Sequence, residues 1–248
     1  MSEPPPPPDP LAVAAADETS APHLAAAWGP GRVLAGLAML LFSIVVAASI
    51  AAAVDPDLEA PGALLALQGV LAGAMIAVAF LVAGRDGPAM PKALGLGRSR
   101  HAPIATAFLG YLAYLACALV ISALLSPEQE DITRELGVDE GALAAIVAFL
   151  LIVIAAPVAE EVFFRGFMFA GIRGSSTSFW SFPVAAVISS GIWGLFHYTG
   201  SGSWPIVLQL SIFGVILCAV YERTGSIRPT IALHMINNAI AFTVLVSS

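Results

Sequence analysis

Seven long apolar stretches follow one another along the chain, separated by short polar or charged segments. They cover residues 33–54, 62–84, 103–125, 142–172, 182–203, 204–222 and 229–247. A helix needs about 20 apolar residues to cross the ~30 Å hydrocarbon core of a bilayer, and most stretches reach that length. The pattern predicts seven membrane spans, or eight if the 31-residue fourth stretch breaks at Pro157. A single tilted or kinked helix over that stretch is equally allowed.

The composition favours the same class of protein. The chain is 58% hydrophobic and only 11% charged, which is typical of polytopic membrane proteins and not of soluble enzymes. We therefore expect an all-α bundle of seven or eight transmembrane helices. No basic tract indicates nucleic acid as a partner, and the sequence does not determine the oligomeric state. Cys117 and Cys218 both lie in apolar stretches, where packing is a better explanation than a disulfide.

The chain divides into an arm and two membrane segments. Residues 1–30 contain a run of five prolines followed by Ala, Asp, Glu, Ser and Thr, which predicts a disordered or polyproline arm without a secretory signal. Residues 31–139 carry the first three apolar stretches, and residues 140–248 carry the rest. We treat the latter segment as the functional core, because the candidate residues below all lie in it.

Loop charges predict the orientation. Positive loops favour the cytoplasmic side, and the loop between the second and third stretches is basic, whereas residues 55–59 and 128–140 are mostly acidic. This places the N-terminus in the cytoplasm, and the Ala-, Gly- and Arg-rich composition indicates a bacterial cytoplasmic membrane. The cations that fall on the predicted cytoplasmic side are Arg85, Lys92, Arg98, Arg100, Arg173, Arg223 and Arg228.

Three charged residues interrupt the fourth apolar stretch. Glu160, Glu161 and Arg165 would each cost several kcal/mol at bilayer depth unless another group pairs with them or a reaction uses them. Glu161 and Arg165 are four residues apart with the acid first, so a helix would pair them on one face. Glu160 points about 100° away and has no such partner. We therefore expect one carboxylate to be neutralised structurally and the other to be free for chemistry.

Further polar groups lie in later stretches. A lone histidine on an apolar helix is more often a packing residue than a catalyst, but in a membrane each polar group must find a partner, which favours function for His197 and His234. Asn238 lies four residues after His234, on the same helical face. Trp193 lies four residues before His197, where its ring would either wall a pocket over the imidazole or serve as ordinary packing.

These residue types suit hydrolysis. A carboxylate with an imidazole can take a proton from water, and a second imidazole with an amide can stabilise an oxyanion. Glu160, His197 and His234 could instead hold a divalent metal such as zinc, with one position left for water. The residues alone leave both mechanisms open. The chain lacks the H-E-x-x-H, G-x-S-x-G and G-x-G-D motifs of other protease classes.

Three motifs in this order resemble those of one family. E-E-V-F-F-R at residues 160–165 is similar to the E-E-x-x-x-R signature of the CPBP family, which includes type II CAAX prenyl endopeptidases and Abi-like bacteriocin-processing or immunity proteins. W-G-L-F-H at residues 193–197 resembles its F-x-x-x-H motif, with Trp193 in place of Phe. H-M-I-N-N at residues 234–238 resembles its H-x-x-x-N motif. The resemblance covers about residues 140–245.

The resemblance implies an intramembrane endopeptidase in which Glu160 and His197 activate water while His234 and Asn238 stabilise the oxyanion. Glu161, Arg165 and Trp193 would be supporting residues. The family is often described as metalloproteases, although a glutamate-dependent mechanism needs no metal. We expect a polar cavity that opens to the cytoplasmic side, and a substrate that is cleaved either near a protein C-terminus or within a membrane-associated peptide.

Two other functions fit the same residues. A proton-coupled transporter could use Glu160, His197 and His234 as a relay, although the halves of the chain show no internal repeat. A membrane scaffold or immunity protein without catalysis is the second alternative. Retention of all four candidate residues argues against a protein without activity.

Overall fold

The computed structural model describes residues 26, 28–54, 63–84, 90–100, 102–125, 136–198 and 204–247, and every regular element among them is helical. This confirms the predicted all-α membrane fold. The predicted disordered arm lies almost entirely outside the described residues. The acidic loop at 55–59, Arg85 and the first part of the loop at 128–140 also lie outside them.

The described residues form eight helices, and all but one of these helices are strongly apolar. A single 3-10 turn, Val138–Glu140, precedes the fifth helix. The helices are α1 Pro30–Val54, α2 Ala63–Ala83, the short α3 Met90–Ala93, α4 Pro103–Leu125, α5 Ala142–Arg173, α6 Ser181–Leu195, α7 Trp204–Thr224 and α8 Arg228–Ser247.

Six of these helices, α1, α2, α4, α5, α7 and α8, are long and apolar enough to cross a membrane. The fifth predicted span, residues 182–203, is wrong because the helix there is too short. It forms the 15-residue α6, which measures about 22 Å at 1.5 Å per residue and is too short for the hydrocarbon core. Its continuation after Leu195 turns out of the helix instead of extending it.

The long fourth stretch does not break at Pro157. It forms one helix, α5, whose backbone is π-helical over Leu150–Ala155 and again over Glu161–Phe169. Proline lacks an N–H and its ring crowds the preceding turn, and a wider π-helical turn before it relieves that conflict. The eight-span alternative, which required a break at Pro157, is therefore wrong, and the described residues contain six membrane-length helices where seven spans were predicted.

α5 is the central helix of the bundle. It packs against α2, α6, α7 and α8, and its C-terminal end meets the start of α1, where Trp28 Nε1 donates a 2.9 Å hydrogen bond to the Phe167 carbonyl. Residues of α5 from Val162 to Ala170 are buried without interruption. The charged motif therefore lies in a continuously buried part of the bundle, whereas only 6% of the most apolar window of α4 is buried.

The segment at residues 90–100 packs directly on α5 and on the start of α8. A Cβ atom at Gly166 would lie 2.5 Å from the Leu94 carbonyl oxygen, so only glycine permits this approach. Ser226 Oγ donates to the carbonyls of Gly95 and Gly97 at 3.2 and 2.9 Å, and Ile227 N–H donates to Gly95 at 2.9 Å. This segment thus fixes where α8 begins relative to α5.

Candidate active site

The predicted ion pair between Glu161 and Arg165 is present. Arg165 Nη1 lies 3.0 Å from Glu161 Oε1, and both side chains are fully buried. The guanidinium also stacks on Trp193, with Cζ 4.4 Å from the ring centroid. Within the described residues, Nε and Nη2 of Arg165 have no hydrogen-bond acceptor. Glu161 and the Trp193 ring are therefore the main groups that stabilise this buried charge.

Glu160 points to a different set of side chains. Trp193 on α6 donates its indole N–H to Glu160 Oε2 at 2.6 Å. Glu160 is 7% exposed whereas Glu161 is 0% exposed, so Glu160 is the carboxylate that a small molecule reaches more easily. A charge-assisted hydrogen bond of this length fixes the carboxylate orientation. Sequence reasoning had given Trp193 the role of a wall, and its role as a donor to Glu160 was missed.

His234 on α8 lies between the two glutamates. Its Nδ1 is 3.1 Å from Glu161 Oε1, and its Nε2 is 3.8 Å from Glu160 Oε2. Because an ionised carboxylate only accepts hydrogen bonds, the Glu161 contact places the proton of a neutral His234 on Nδ1. Nε2 then carries a lone pair and faces Glu160. One imidazole therefore connects the structural carboxylate to the accessible one.

His197 does not join this group. Its Nδ1 lies 3.0 Å from the Trp193 carbonyl in its own helix, and its ring packs edge to face on Trp193 with centroids 5.2 Å apart. No ion pair or hydrogen bond connects it to Glu160 in the described part of the chain. The pairing of Glu160 with His197 that the family resemblance implies is thus not observed as a direct contact, because α6 places the Trp193 side chain, not His197, against Glu160.

Asn238 is also engaged with the backbone of α5. Its Nδ2 donates to the Ile152 carbonyl at 2.9 Å. In the π-helical turn the Leu151 carbonyl pairs with the N–H five residues later, at Ala156. The same register would pair Ile152 with residue 157, but Pro157 has no N–H. Asn238 therefore supplies the donor that the proline lacks, and one N–H of its amide remains for another partner.

This arrangement predicts that the effects of Asn238 and Pro157 are coupled. Asn238→Ala should reduce stability by about 1–3 kcal/mol, because the Ile152 carbonyl loses its donor at a partly buried position inside an apolar bundle. In a Pro157→Ala background residue 157 has its own N–H, so the same Asn238→Ala change should cost less. Unfolding in detergent micelles measures both effects. An equal loss in the two backgrounds would show that the Ile152 contact contributes nothing.

The donor role of Trp193 gives a second prediction. Trp193→Phe keeps an aromatic ring against His197 and His234 but removes the N–H that holds Glu160. Because hydrogen bonds to charged groups contribute about 1.5–3 kcal/mol, the turnover rate on a peptide substrate should fall by roughly tenfold or more. Gln209→Leu, which removes an exposed 2.9 Å hydrogen bond from α7 to Ser122 on α4, is a control for loss of a polar contact between helices. An unchanged rate in Trp193→Phe would exclude the positioning role.

A metal site built from Glu160, His197 and His234 is not assembled. The described residues contain no group of three His, Cys, Asp or Glu side chains arranged to hold a metal ion. Glu160 and His234 approach each other, but His197 bonds its own helix and contributes no third ligand. The side chains as placed do not fit a zinc ion with three protein ligands, so we derive no step through a metal.

Two other residues complete the walls of the site. Phe213 on α7 packs edge to face on His234, with centroids 5.9 Å apart, and also contacts Trp193. Gly214 follows Phe213 in the chain. A Cβ atom at this position would lie 3.0 Å from Arg165 Nη2, so a larger residue would crowd the guanidinium. Sequence reasoning missed both, because a Phe-Gly pair in an apolar stretch gives no signal that distinguishes it from ordinary packing.

Comparison with known proteins agrees with these motifs. A family model described as type II CAAX prenyl endopeptidase Rce1-like matches residues 142–240. The matched region begins at the start of α5 and ends within α8, so it contains all the candidate residues above. No curated protein and no solved structure matches the chain significantly.

Proposed function

We propose that this integral membrane protein is an endopeptidase that cleaves membrane-associated proteins or peptides near their C-termini, because a family model described as type II CAAX prenyl endopeptidase Rce1-like matches residues 142–240. One observation supports the proposal most directly. Glu160 and His234, on different membrane-length helices, approach within 3.8 Å inside the bundle, and Trp193 and Glu161 orient each of them. Ionisable side chains inside a membrane-spanning bundle reduce its stability, so their presence there usually marks a functional site.

We assign the activation of water to Glu160. It is the more exposed of the two glutamates, and one oxygen is held by Trp193. A water molecule in contact with this carboxylate would give up a proton to it while its oxygen attacks the carbonyl carbon of the substrate. Glu161 does not compete for this role, because its Oε1 is engaged by both Arg165 and His234.

His234 is suited to carry the proton onward. With Nδ1–H directed to Glu161, its Nε2 lone pair can receive the proton that Glu160 has taken. The proton passes from Nε2 to the amide nitrogen as the C–N bond breaks, so that the leaving group departs as a neutral amine. Glu160 returns to its ionised form, so protons and electron pairs balance over the cycle. The one free amide N–H of Asn238, a helical turn beyond His234, is our candidate donor to the oxyanion.

This assignment changes the roles that the motifs alone imply. His234 becomes the proton-transfer partner of Glu160. Among the described residues, His197 is connected to Glu160 through Trp193, which contacts both side chains. His197 is half-buried, so we propose that it lines the approach of the substrate. The mechanism uses side chains of this chain alone.

The function is tested with the purified protein in liposomes that also contain peptides anchored to the bilayer by an apolar or lipid-modified C-terminal segment. Mass spectrometry of the products should show hydrolysis at defined peptide bonds. A pH-sensitive dye inside the same liposomes reports proton flux, which the proposal does not predict. Proton-coupled flux without any peptide cleavage would favour the transporter alternative and contradict the proposal.

A further inference from the structure

A basic pocket lies outside the candidate active site. It has a volume of about 580 Å³ and is formed within the segment at residues 90–100. Its lining includes the side chains of Lys92, Arg98 and Arg100, all of them exposed, and also Ser99. Among the described residues, no acidic side chain lines it. None of the three cations has an ion-pair partner among the described residues, in contrast to Arg173, which pairs with Glu222 at 2.8 Å.

The pocket also has uncommitted hydrogen-bond donors. The backbone N–H groups of Gly97, Arg98 and Ser99 make no hydrogen bond within the described part of the chain, nor does the Ser99 hydroxyl. Three cations, a hydroxyl and free amides in one pocket match an anion with several acceptor oxygens, such as a phosphate group. A loop that only contacts water has no need for so many cationic and N–H donors in one place, so their grouping favours an anionic ligand.

The pocket is held in a fixed position. Arg100 N–H donates to the Thr224 carbonyl at 2.8 Å, and Gly95 and Gly97 accept the bonds from Ser226. Gly95 has a positive φ of 76° and lies against the Tyr221 ring. The backbone of the segment is therefore attached to the end of α7 and the start of α8, so that it does not need to be ordered when a ligand binds.

The position of the basic pocket relative to the membrane-length helices indicates which kind of anion it binds. The segment connects to the ends of α4, α7 and α8, which are membrane-length helices, so the pocket lies where their apolar parts end. α4 begins three residues after Arg100, and its first turns expose Ile104 and Phe108, which are 85% and 61% accessible. A basic pocket followed by an exposed apolar surface suits an amphiphile with an anionic head.

We propose that the pocket formed by Lys92, Arg98, Ser99 and Arg100 binds the phosphate headgroup of an anionic membrane phospholipid. The acyl chains would follow the exposed face of α4. This site is separate from Glu160 and does not depend on peptidase activity. It goes beyond general attraction of basic loops to anionic membranes, because it assigns binding to particular residues.

The test compares two double variants of the full chain that remove the same charge at the same end of the bundle. Arg98→Gln/Arg100→Gln alters the pocket. Arg223→Gln/Arg228→Gln alters exposed cations that flank the turn beside Arg100 but do not line the pocket. Native mass spectrometry of the detergent-solubilised proteins, with added phosphatidylglycerol or phosphatidylcholine, measures binding. Size-exclusion chromatography checks that both variants remain folded and monodisperse.

We expect wild type to bind phosphatidylglycerol more tightly than phosphatidylcholine. The pocket variant should lose about tenfold or more in phosphatidylglycerol affinity, since each cation that contacts an anionic headgroup adds to the binding free energy. The affinity of the control variant should stay within about twofold of wild type. Equal losses in both variants would overturn the proposal in favour of general surface charge. Competition by inorganic phosphate at the same concentration as the lipid would also overturn it, because the pocket would then select a free anion.

Discussion

Replacing Glu160 by Gln will reduce the rate of peptide cleavage by about 10²–10⁴-fold while leaving the protein folded. Gln has nearly the same shape, and its amide oxygen can still accept the Trp193 N–H that Glu160 accepts at 2.6 Å. It cannot take a proton from water at neutral pH. The measurement is the initial rate of product formation from a membrane-anchored peptide in liposomes.

Glu140→Gln is the matched control for this change. Glu140 is exposed at the end of the 3-10 turn that precedes α5, and it is far in sequence from the charged motif. Its substitution should leave the rate unchanged. If Glu160→Gln kept more than about a tenth of wild-type activity, general-base catalysis by this residue would be excluded, since such a base contributes at least about 10²-fold.

Replacing Glu161 by Gln will have its largest effect on stability. The change leaves the fully buried Arg165 without the carboxylate that lies 3.0 Å away, and breaking a buried pair on one side costs about 3–5 kcal/mol. It also removes the ionised acceptor for His234 Nδ1. Denaturant-induced unfolding in detergent micelles should therefore show a strongly lowered midpoint.

Two further variants separate this explanation from others. Glu161→Gln/Arg165→Met removes both charges and should be less destabilised than the sum of the single changes, because no buried charge is left alone. Glu222→Gln breaks the pair with Arg173, whose side chains are 23% and 27% exposed, and should cost about 1 kcal/mol or less. Normal stability of Glu161→Gln together with complete loss of activity would contradict the structural role.

Local spacing was sufficient to predict several features of this molecule. The ends of α4 and α8 agree closely with the apolar stretches, because an abrupt change in hydropathy marks where a helix leaves the bilayer. The Glu161–Arg165 pair also follows from a separation of four residues. Both predictions depend on neighbours in the sequence, which is the range over which periodicity is informative.

Contacts between different helices were harder to predict from the sequence. The resemblance implied His197 as the partner of Glu160, yet in the described part of the chain it is His234 that approaches this carboxylate, because the packing of α6 and α8 on α5 decides which side chains meet. Helical spacing treats α5 as regular, whereas its two π-helical segments change how successive residues face their neighbours. Nothing in the local pattern indicates these segments apart from Pro157.

The bond between Asn238 and Ile152 is an intermediate case. A proline inside a membrane helix must leave a carbonyl without its donor, and no water is available there to replace it. That rule predicts that some polar side chain on a facing helix supplies the missing bond. It does not identify Asn238, because the sequence does not reveal which turn of α8 lies beside Ile152.

The central claim is that Glu160 and His234 act as one unit inside the membrane. A double-mutant cycle on kcat/KM, with Glu160→Gln, His234→Gln and the combined variant, tests it most directly. If the two residues transfer the same proton, the double variant should be hardly slower than the slower single variant, because removing either residue already abolishes the shared step. Independent losses that multiply in the double variant would contradict the account.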